Sequence, residues 1–345
     1  MATFTQQENS TMQPSLLDGT RRHVLDLDDF TVDEINLIIE NSASMKEILS
    51  RDIKKVPALR GKTIITLFYE PSTRTRVSFE QAGKILSADV INITGGGSSV
   101  EKGETLYNTA RTIEAMNADL IIIRHPHSGA ANFLSKRIGS SIINAGDGTH
   151  AHPTQSLVDL FTIKSHTGSI KNLKVVIVGD LLYSRVSRSN LWGLTKMGAH
   201  VVLCGPRTLV PIDFQNKLRE QVGHPFSKVE VEDNIERALK DADVVMALRL
   251  QRERQRAGHL PSLREYSRLF GINERRLALA KPNALLMHPG PMNEGIEITS
   301  DVARGVNSVI EEQVTNGVAV RMALLYNLSK SRNELSRLEN TTIGS

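Results

Sequence analysis

The chain has 345 residues and a mass of 38.1 kDa, which is enough for two domains of ordinary size. Its 42 Lys and Arg residues barely exceed its 38 Asp and Glu residues, and aromatic residues make up only 4%, so a nucleic-acid-binding function is disfavoured. The single cysteine, Cys204, excludes an internal disulfide and any multi-cysteine metal site. No apolar run approaches the roughly 18–20 residues that cross a bilayer, and the first residues lack a signal-peptide core. We therefore expect a cytoplasmic protein that does not bind membranes.

Residues 1–20 are rich in Ser, Thr, Gln and Asn and predict a mobile tail. Short runs that are apolar throughout, typical of parallel strands covered on both faces, follow in two series. The predicted strands are Thr63–Tyr69, Asp89–Ile93, Leu120–Ile123 and Ser141–Asn144, then Lys174–Val178, His200–Cys204, Val229–Val231, Asp243–Leu248 and Ala284–Met287. The predicted helices are Thr31–Leu49, Pro71–Leu86, Thr154–Ile163 and Val309–Leu328.

Strands and helices alternate twice along the chain, which predicts an α/β protein with two doubly wound parallel-sheet domains joined by helices. We expect the first domain over residues 21–153 and the second over 154–308. A C-terminal helix, 309–335, is expected to pack back on the first domain. In such sheets ligands bind at the carboxyl ends of the strands.

The segment after the first predicted strand indicates an anion site. It reads FYEPSTRTRVSFE, with hydroxyl side chains at Ser72, Thr73 and Thr75 that suit a helix N-terminus. Arg74 and Arg76 are unfavourable there unless an anion is bound, because the N-terminus of a helix is already positive. The alternative is a surface helix with two solvated arginines.

Polar residues recur after the other strands of the first series. A Gly-Ser loop carries Ser98 and Lys102, which taken alone resembles a solvated linker but could also reach an anionic ligand. Arg124 ends a buried strand, and His152 and Gln155 begin a helix on one face. A neutral imidazole and an amide can stabilise a developing oxyanion.

A metal site is a weaker interpretation of the same region. Asp147, His150 and His152 include a His-x-His pair, but the sequence offers no convincing further ligand. We therefore expect no metal at these residues.

The second series of strands ends in arginines. Arg185 and Arg188 follow its first strand, where the glycine fingerprint of a dinucleotide-binding enzyme is absent. Arg249 and Gln251 lie two residues apart and face the same way if the backbone is extended, so they could hold a dicarboxylate together with Arg185. We interpret the neighbouring Arg252 and Arg254 as a basic surface turn. The Pro-Gly-Pro turn at residues 289–291 exposes backbone carbonyls.

Together these motifs resemble the catalytic chain of aspartate carbamoyltransferase. The resemblance extends over nearly all of the chain after the tail and is carried by seven segments in family order. They are STRTR (72–76), SxxxKGET (98–105), RHP (124–126), HPTQ (152–155), GDxxxSRVxRSN (179–190), RxQxER (249–254) and HPGPMN (288–293).

The resemblance implies transfer of a carbamoyl group from carbamoyl phosphate to L-aspartate in pyrimidine biosynthesis, without a cofactor. The first domain would bind carbamoyl phosphate and the second would bind aspartate. The implied catalytic residues are Arg74, Thr75, Arg124 and His152. The implied carbamoyl-phosphate-binding residues are Ser72, Thr73, Arg74, Thr75, Arg124, His152, Gln155, Gly290 and Pro291. The implied aspartate-binding residues are Lys102, Arg185, Arg249 and Gln251.

The resemblance also implies a homotrimer in which Ser98 and Lys102 reach a neighbouring subunit's site. It leaves open whether regulatory or dihydroorotase chains join the trimer. Ornithine carbamoyltransferase, the sister family, has HCLP at the position of residues 288–291 and lacks RxQxER, so aspartate is the expected substrate. Glu294 stands where relatives usually have Arg, and Tyr183 where they commonly have His. A carboxylate near the anion site could weaken substrate binding or domain closure, and the effect of both changes on activity stays open.

Overall fold

Two separate parallel sheets form the frame of the computed structural model, which describes residues 14–95, 103–216, 224–251, 254 and 262–343. The first sheet contains β1 (Thr63–Phe68), β2 (Asp89–Thr94), β3 (Leu120–His125) and β4 (Ser141–Asp147). The second contains β5 (Lys174–Val178), β6 (His200–Cys204), β7 (Glu230–Glu232), β8 (Val244–Ala247) and β9 (Leu285–Met287). Each predicted strand is confirmed, with ends that differ by at most three residues.

Helices cover both sheets. They are α1 (Val32–Leu49), α2 (Thr73–Ile85), α3 (Leu106–Ala115), α4 (Ala130–Ser135), α5 (Pro153–Thr167), α6 (Arg185–Lys196), α7 (Ile212–Asn216), α8 (Ile235–Leu239), α9 (Leu263–Phe270), α10 (Glu274–Leu277), α11 (Ser300–Ala303) and α12 (Ile310–Ile343). Short 3₁₀ helices span Pro57–Leu59 and Arg207–Leu209. None of the helices in these described ranges is both long and apolar enough to span a membrane.

Alternate residues of each strand face opposite sides of the sheet, and in strands such as β1, β3, β5 and β8 both sides are buried. Ile64 belongs to the same hydrophobic cluster as Phe79 of α2, whereas its neighbour Ile65 clusters with Ala110 of α3. The second sheet is built in the same way. Apolar runs without polar alternation are therefore explained by helices on both faces of a parallel sheet.

The strand orders are β2-β1-β3-β4 and β7-β6-β5-β8-β9. The direction of winding reverses once in each sheet, between β1 and β3 and between β5 and β8. A reversal of this kind opens a crevice at the carboxyl ends of the strands.

Two helices connect the sheets. Helix α5 contacts β4 and α6, and α12 packs against α1, α2 and α5 and also reaches β9. The prediction of two doubly wound domains with the C-terminal helix returning to the first is confirmed.

The last residues of the predicted tail pack on the first domain. Residues 14–20 form a turn in which Leu16 is buried and its backbone N–H donates to Glu34 Oε1 at 2.8 Å. Arg21 Nε donates to the same oxygen at 2.7 Å. The buried side chain of Leu16 and these two hydrogen bonds to Glu34 hold the segment on α1. Residues 1–13 lie outside the described part of the chain.

Candidate functional site

A cleft of about 1150 Å³ lies at the carboxyl ends of both sheets. The structure brings the predicted site residues that it describes together along the walls of this cleft. They are Ser72, Thr73, Arg74, Thr75, Arg124, His152, Gln155, Arg185, Arg249, Gln251, Gly290 and Pro291. The predicted Ser98 and Lys102 lie outside the described residues, so their positions remain predictions.

The N-terminus of α2 forms one wall. Ser72 is its N-cap and accepts a hydrogen bond from the backbone N–H of Thr75 at 3.4 Å, while its hydroxyl donates to Thr75 Oγ1 at 3.0 Å. Arg74 has no hydrogen bond or ion pair to the residues that the structure describes. Burial and the nearby charge of Arg249 lower the pKa of Arg74. An anion bound between the two guanidinium groups would relieve this repulsion.

The turn after β9 lies directly against Arg74. Gly290 has a φ of +62°, and a Cβ atom there would overlap the Arg74 guanidinium. The N–H of Gly290 donates to His288 Nδ1 at 2.7 Å, and the Gly290–Pro291 peptide is cis. Glycine is needed here because both the backbone conformation and the close approach exclude a side chain.

A carboxylate that sequence reasoning missed lies between the domains. Glu70, at the end of β1, accepts hydrogen bonds from Arg124 and Arg185 at 2.6 Å and from Arg254 at 3.0 Å. Burial alone would raise the pKa of Glu70, but the three guanidinium groups lower it. Gly146 allows this packing, since a Cβ there would lie 2.8 Å from the Arg185 guanidinium.

The interpretation of Arg254 as part of a surface turn is wrong. Its side chain is 17% exposed, it lines the cleft, and it binds both oxygens of Glu70. The arginine spacing gave no sign of this contact because the partner lies in the other domain. Arg188, by contrast, is exposed and is not among the residues that line the cleft.

His152 is buried at the start of α5. Burial, followed by the charges of Arg185 and Arg124, holds the pKa of His152 well below 6.5, so its imidazole is neutral. Thr154 Oγ1 lies 3.3 Å from Nδ1. A hydroxyl that donates to Nδ1 leaves the ring proton on Nε2, where it can be donated to a ligand.

The metal interpretation has no geometric support. Asp147 accepts hydrogen bonds from the backbone N–H groups of Gly129 and Ala151 and contacts His150 Nδ1 at 3.1 Å. Within the described residues, no three His, Cys, Asp or Glu side chains are arranged to hold a metal ion.

Two buried carboxylates fix the segment after β8. The N–H of Leu250 donates to Glu297 Oε1 at 3.0 Å, and the N–H of Gln251 donates to Asp180 Oδ2 at 3.1 Å. Leu250 is buried, while Arg249 and Gln251 line the cleft on either side of it in sequence. The extended arrangement predicted for this pair thus brings both side chains to the same cavity.

The chain matches two family models, which together span most of its length. Residues 22–165 match the carbamoyl-P binding domain of aspartate/ornithine carbamoyltransferase, and residues 171–328 match the Asp/Orn binding domain. The chain belongs to the aspartate/ornithine carbamoyltransferase family. The two matched ranges contain the first and the second sheet.

Members of this family that bear the name aspartate carbamoyltransferase catalytic subunit are closely similar to the chain. The protein from Roseiflexus sp. (strain RS-1) is 59% identical over 310 residues, which is 90% of this chain and 95% of the relative. The protein from Dehalococcoides mccartyi (strain CBDB1) is 52% identical over 330 residues, which is 95% of this chain and 98% of the relative.

Solved structures of the family share the fold. Aspartate transcarbamoylase from Trypanosoma cruzi, in complex with carbamoyl phosphate and aspartate, has a TM-score of 0.81 and 27% identity, covering 91% of this chain and 99% of that one. Ornithine carbamoyltransferase from Pyrococcus furiosus has a TM-score of 0.76 and 32% identity, covering 88% and 96%. The fold is thus common to both branches of the carbamoyltransferase family.

Glu294, the departure noted in the family motif, does not line the cleft. Its carboxylate accepts hydrogen bonds from Ser300 Oγ at 2.6 Å and from Arg304 at 2.9 Å on the surface. These contacts remove the physical reason for expecting the residue to repel a bound anion.

Proposed function

We propose that the chain is an aspartate carbamoyltransferase, which converts carbamoyl phosphate and L-aspartate to N-carbamoyl-L-aspartate and phosphate in pyrimidine biosynthesis. The observation that carries this proposal is the charge of the cleft. Six guanidinium groups and one carboxylate line its described walls, which suits two anionic substrates held side by side. The arginines are Arg74, Arg124, Arg185, Arg249, Arg254 and Arg321.

Carbamoyl phosphate is assigned to the α2 wall. The hydroxyl groups of Ser72, Thr73 and Thr75, the N–H groups of the helix N-terminus, and the guanidinium groups of Arg74 and Arg124 bind its phosphate. Support comes from the absence of any bonded partner for Arg74 among the described residues. This part of the site is already arranged to receive an anion.

The reaction joins the amino nitrogen of aspartate to the carbamoyl carbon and then breaks the bond from that carbon to the phosphate oxygen. Thr75, Arg124 and the neutral His152 donate hydrogen bonds to the carbonyl oxygen, where negative charge develops. Gln155 and the backbone carbonyls of residues 289–291 accept from the carbamoyl NH₂ group. The proton lost by the amine goes to the departing phosphate. Because carbamoyl phosphate is already activated, orientation and charge stabilisation suffice and no cofactor is required.

Aspartate is assigned to the second domain. Arg185 binds its α-carboxylate, and Arg249 binds its β-carboxylate with Gln251 alongside. Arg185 is already paired with Glu70, which places an anion-binding guanidinium at the boundary between the domains. Ornithine, whose side chain is a cation, would meet Arg249 with like charge.

We also propose a cytoplasmic homotrimer in which Ser98 and Lys102 enter a neighbouring subunit's site, Lys102 contacting aspartate there. Apolar side chains exposed on the first domain support an interface, because Val77 of α2 is 45% exposed and Ile91 of the adjacent edge strand β2 is 51% exposed. The one cysteine, buried and unpaired, suits a reducing compartment.

The decisive experiment offers carbamoyl phosphate with aspartate and with ornithine in separate assays of the purified chain. We expect phosphate release and carbamoyl-aspartate from aspartate alone. Product from ornithine alone would reverse the substrate assignment, and no product from either would reject the proposed activity. Sedimentation of the same preparation tests the trimer independently.

A further inference from the structure

A buried carboxylate outside the cleft determines which way a glutamine of the site faces. Asp159, on α5, is fully buried where α5, α6 and α12 meet. Its Oδ1 accepts hydrogen bonds from Gln155 Nε2 at 2.9 Å and Gln313 Nε2 at 2.8 Å, and its Oδ2 accepts from Asn190 Nδ2 at 2.8 Å. Three amide groups from three helices therefore converge on one carboxylate.

The orientation of Gln313 is fixed by a group that can only donate. The backbone N–H of His288 donates to Gln313 Oε1 at 3.0 Å, so the Nε2 of Gln313 must face Asp159. Oδ1 of Asp159 is consequently an acceptor. Gln155 shares that oxygen and must also present its NH₂ group to it.

The carbonyl oxygen of Gln155 is thus turned away from Asp159, and Gln155 lines the cleft. An acceptor at this position pairs with an NH₂ group on a ligand but not with a methyl group. Gln313, which also lines the cleft, extends the same constraint to the turn after β9.

We propose that Asp159 is a positioning residue for substrate specificity. It orients the Gln155 amide so that the site selects the NH₂ group of carbamoyl phosphate, an inference that rests on the proposed function. Asp159 touches no substrate and acts only through Gln155 and Gln313. The matched probe is acetyl phosphate, in which a methyl group replaces the carbamoyl NH₂ with little change in size or phosphate charge.

The test measures KM for carbamoyl phosphate at saturating aspartate, and Ki for acetyl phosphate and for inorganic phosphate as competitive inhibitors. Asp159→Leu removes the acceptor. We expect its preference for carbamoyl over acetyl phosphate to fall about tenfold, as for loss of one hydrogen bond, with Ki for phosphate unchanged. If this variant is insoluble, the smaller Asp159→Ser, whose hydroxyl is too short to reach Gln155, carries the same prediction.

Two single variants and one double variant separate positioning from packing. Asp159→Asn should keep the preference for carbamoyl phosphate within about twofold, because its remaining oxygen can accept from both glutamines. The buried Oδ1 of Asn190 has no hydrogen-bond partner in the described structure, so this amide can turn to accept from the new NH₂ group. Asn190→Leu removes the third donor without touching Gln155 and should also keep it. The double variant Asp159→Leu/Gln155→Met should lose no more preference than Gln155→Met alone.

The proposal would be overturned if Asp159→Leu kept its preference for carbamoyl over acetyl phosphate, or if it bound carbamoyl phosphate and inorganic phosphate more weakly by the same factor. It would also be overturned if Asp159→Asn lost as much of this preference as Asp159→Leu. A wild-type enzyme that transfers carbamoyl groups but binds both acyl phosphates equally would also overturn it. These outcomes differ from failure of the proposed function, in which the wild-type chain itself forms no carbamoyl-aspartate.

Discussion

The arginines in the two halves of the cleft differ in their bonding partners. On the α2 side, Arg74 lines the cavity without a bonded partner among the described residues, beside the like charge of Arg249. At the boundary with the second domain, Arg124, Arg185 and Arg254 are gathered around Glu70. The first half is thus ready for an external anion, whereas the second is held by an internal one.

Removing Arg74 should produce the largest effect. Arg74→Ala deletes a guanidinium group that pairs with no carboxylate among the described residues, so we expect kcat/KM for carbamoyl phosphate to fall about 10³-fold with little change in the free energy of unfolding. Steady-state kinetics and thermal melts test this. Lys84→Ala removes an exposed charge from the other end of α2 and should retain activity. Substantial activity in Arg74→Ala would remove this residue from the site.

Arg249→Ala should affect the second substrate selectively. We expect KM for aspartate to rise about 10²-fold through loss of a charged hydrogen-bonding pair, while inhibition by inorganic phosphate weakens far less. Initial rates over an aspartate series provide the measurement. Arg207→Ala, a surface change in the same domain, should leave both values unaltered. An unchanged aspartate response would contradict the assignment of the β-carboxylate.

Glu70→Gln should disturb the boundary between the domains. The three guanidinium groups bonded to Glu70 would lose the negative charge of its carboxylate. Breaking a largely buried ion pair costs about 3 kcal/mol in the free energy of unfolding. We also expect KM for aspartate to rise about tenfold, since Arg185 and Arg254 would no longer be held towards the first domain. Chemical denaturation and kinetics measure the two effects.

The matched control for Glu70→Gln is Glu236→Gln, which breaks an exposed ion pair with Arg275 and should cost less than 1 kcal/mol. Equal stability losses in the two variants would show that Glu70 is no more important than a surface charge.

Local sequence was enough to predict the strands and most of the cleft, because each site residue follows a strand and parallel strands end at one edge of a sheet. Ser72 to Thr75 are an example, since capping hydroxyls and misplaced cations indicate an anion within a single segment. Glu70 and Asp159 were missed for the opposite reason. Glu70 meets Arg185 across the domain boundary, and Asp159, besides Gln155 on its own helix, meets Gln313 across 154 positions of sequence. Arg254 was misassigned because its partner could not be inferred from its own segment.

The smallest expected effect concerns pH. His152 lies beside the paired arginines, and burial followed by their charges holds its pKa well below 6.5. Its ring should remain neutral from pH 8 to pH 6, so NMR signals of the His152 imidazole, assigned with His152→Asn, should not shift over that range. Because the unfolded chain takes up the proton near pH 6.5 and the folded chain does not, His152 contributes stability above that pH that is lost as the pH falls below it. A ring that titrates near 6.5 in the folded enzyme would place an imidazolium in the site, and His152 could then not serve as the neutral donor to the carbamoyl oxygen.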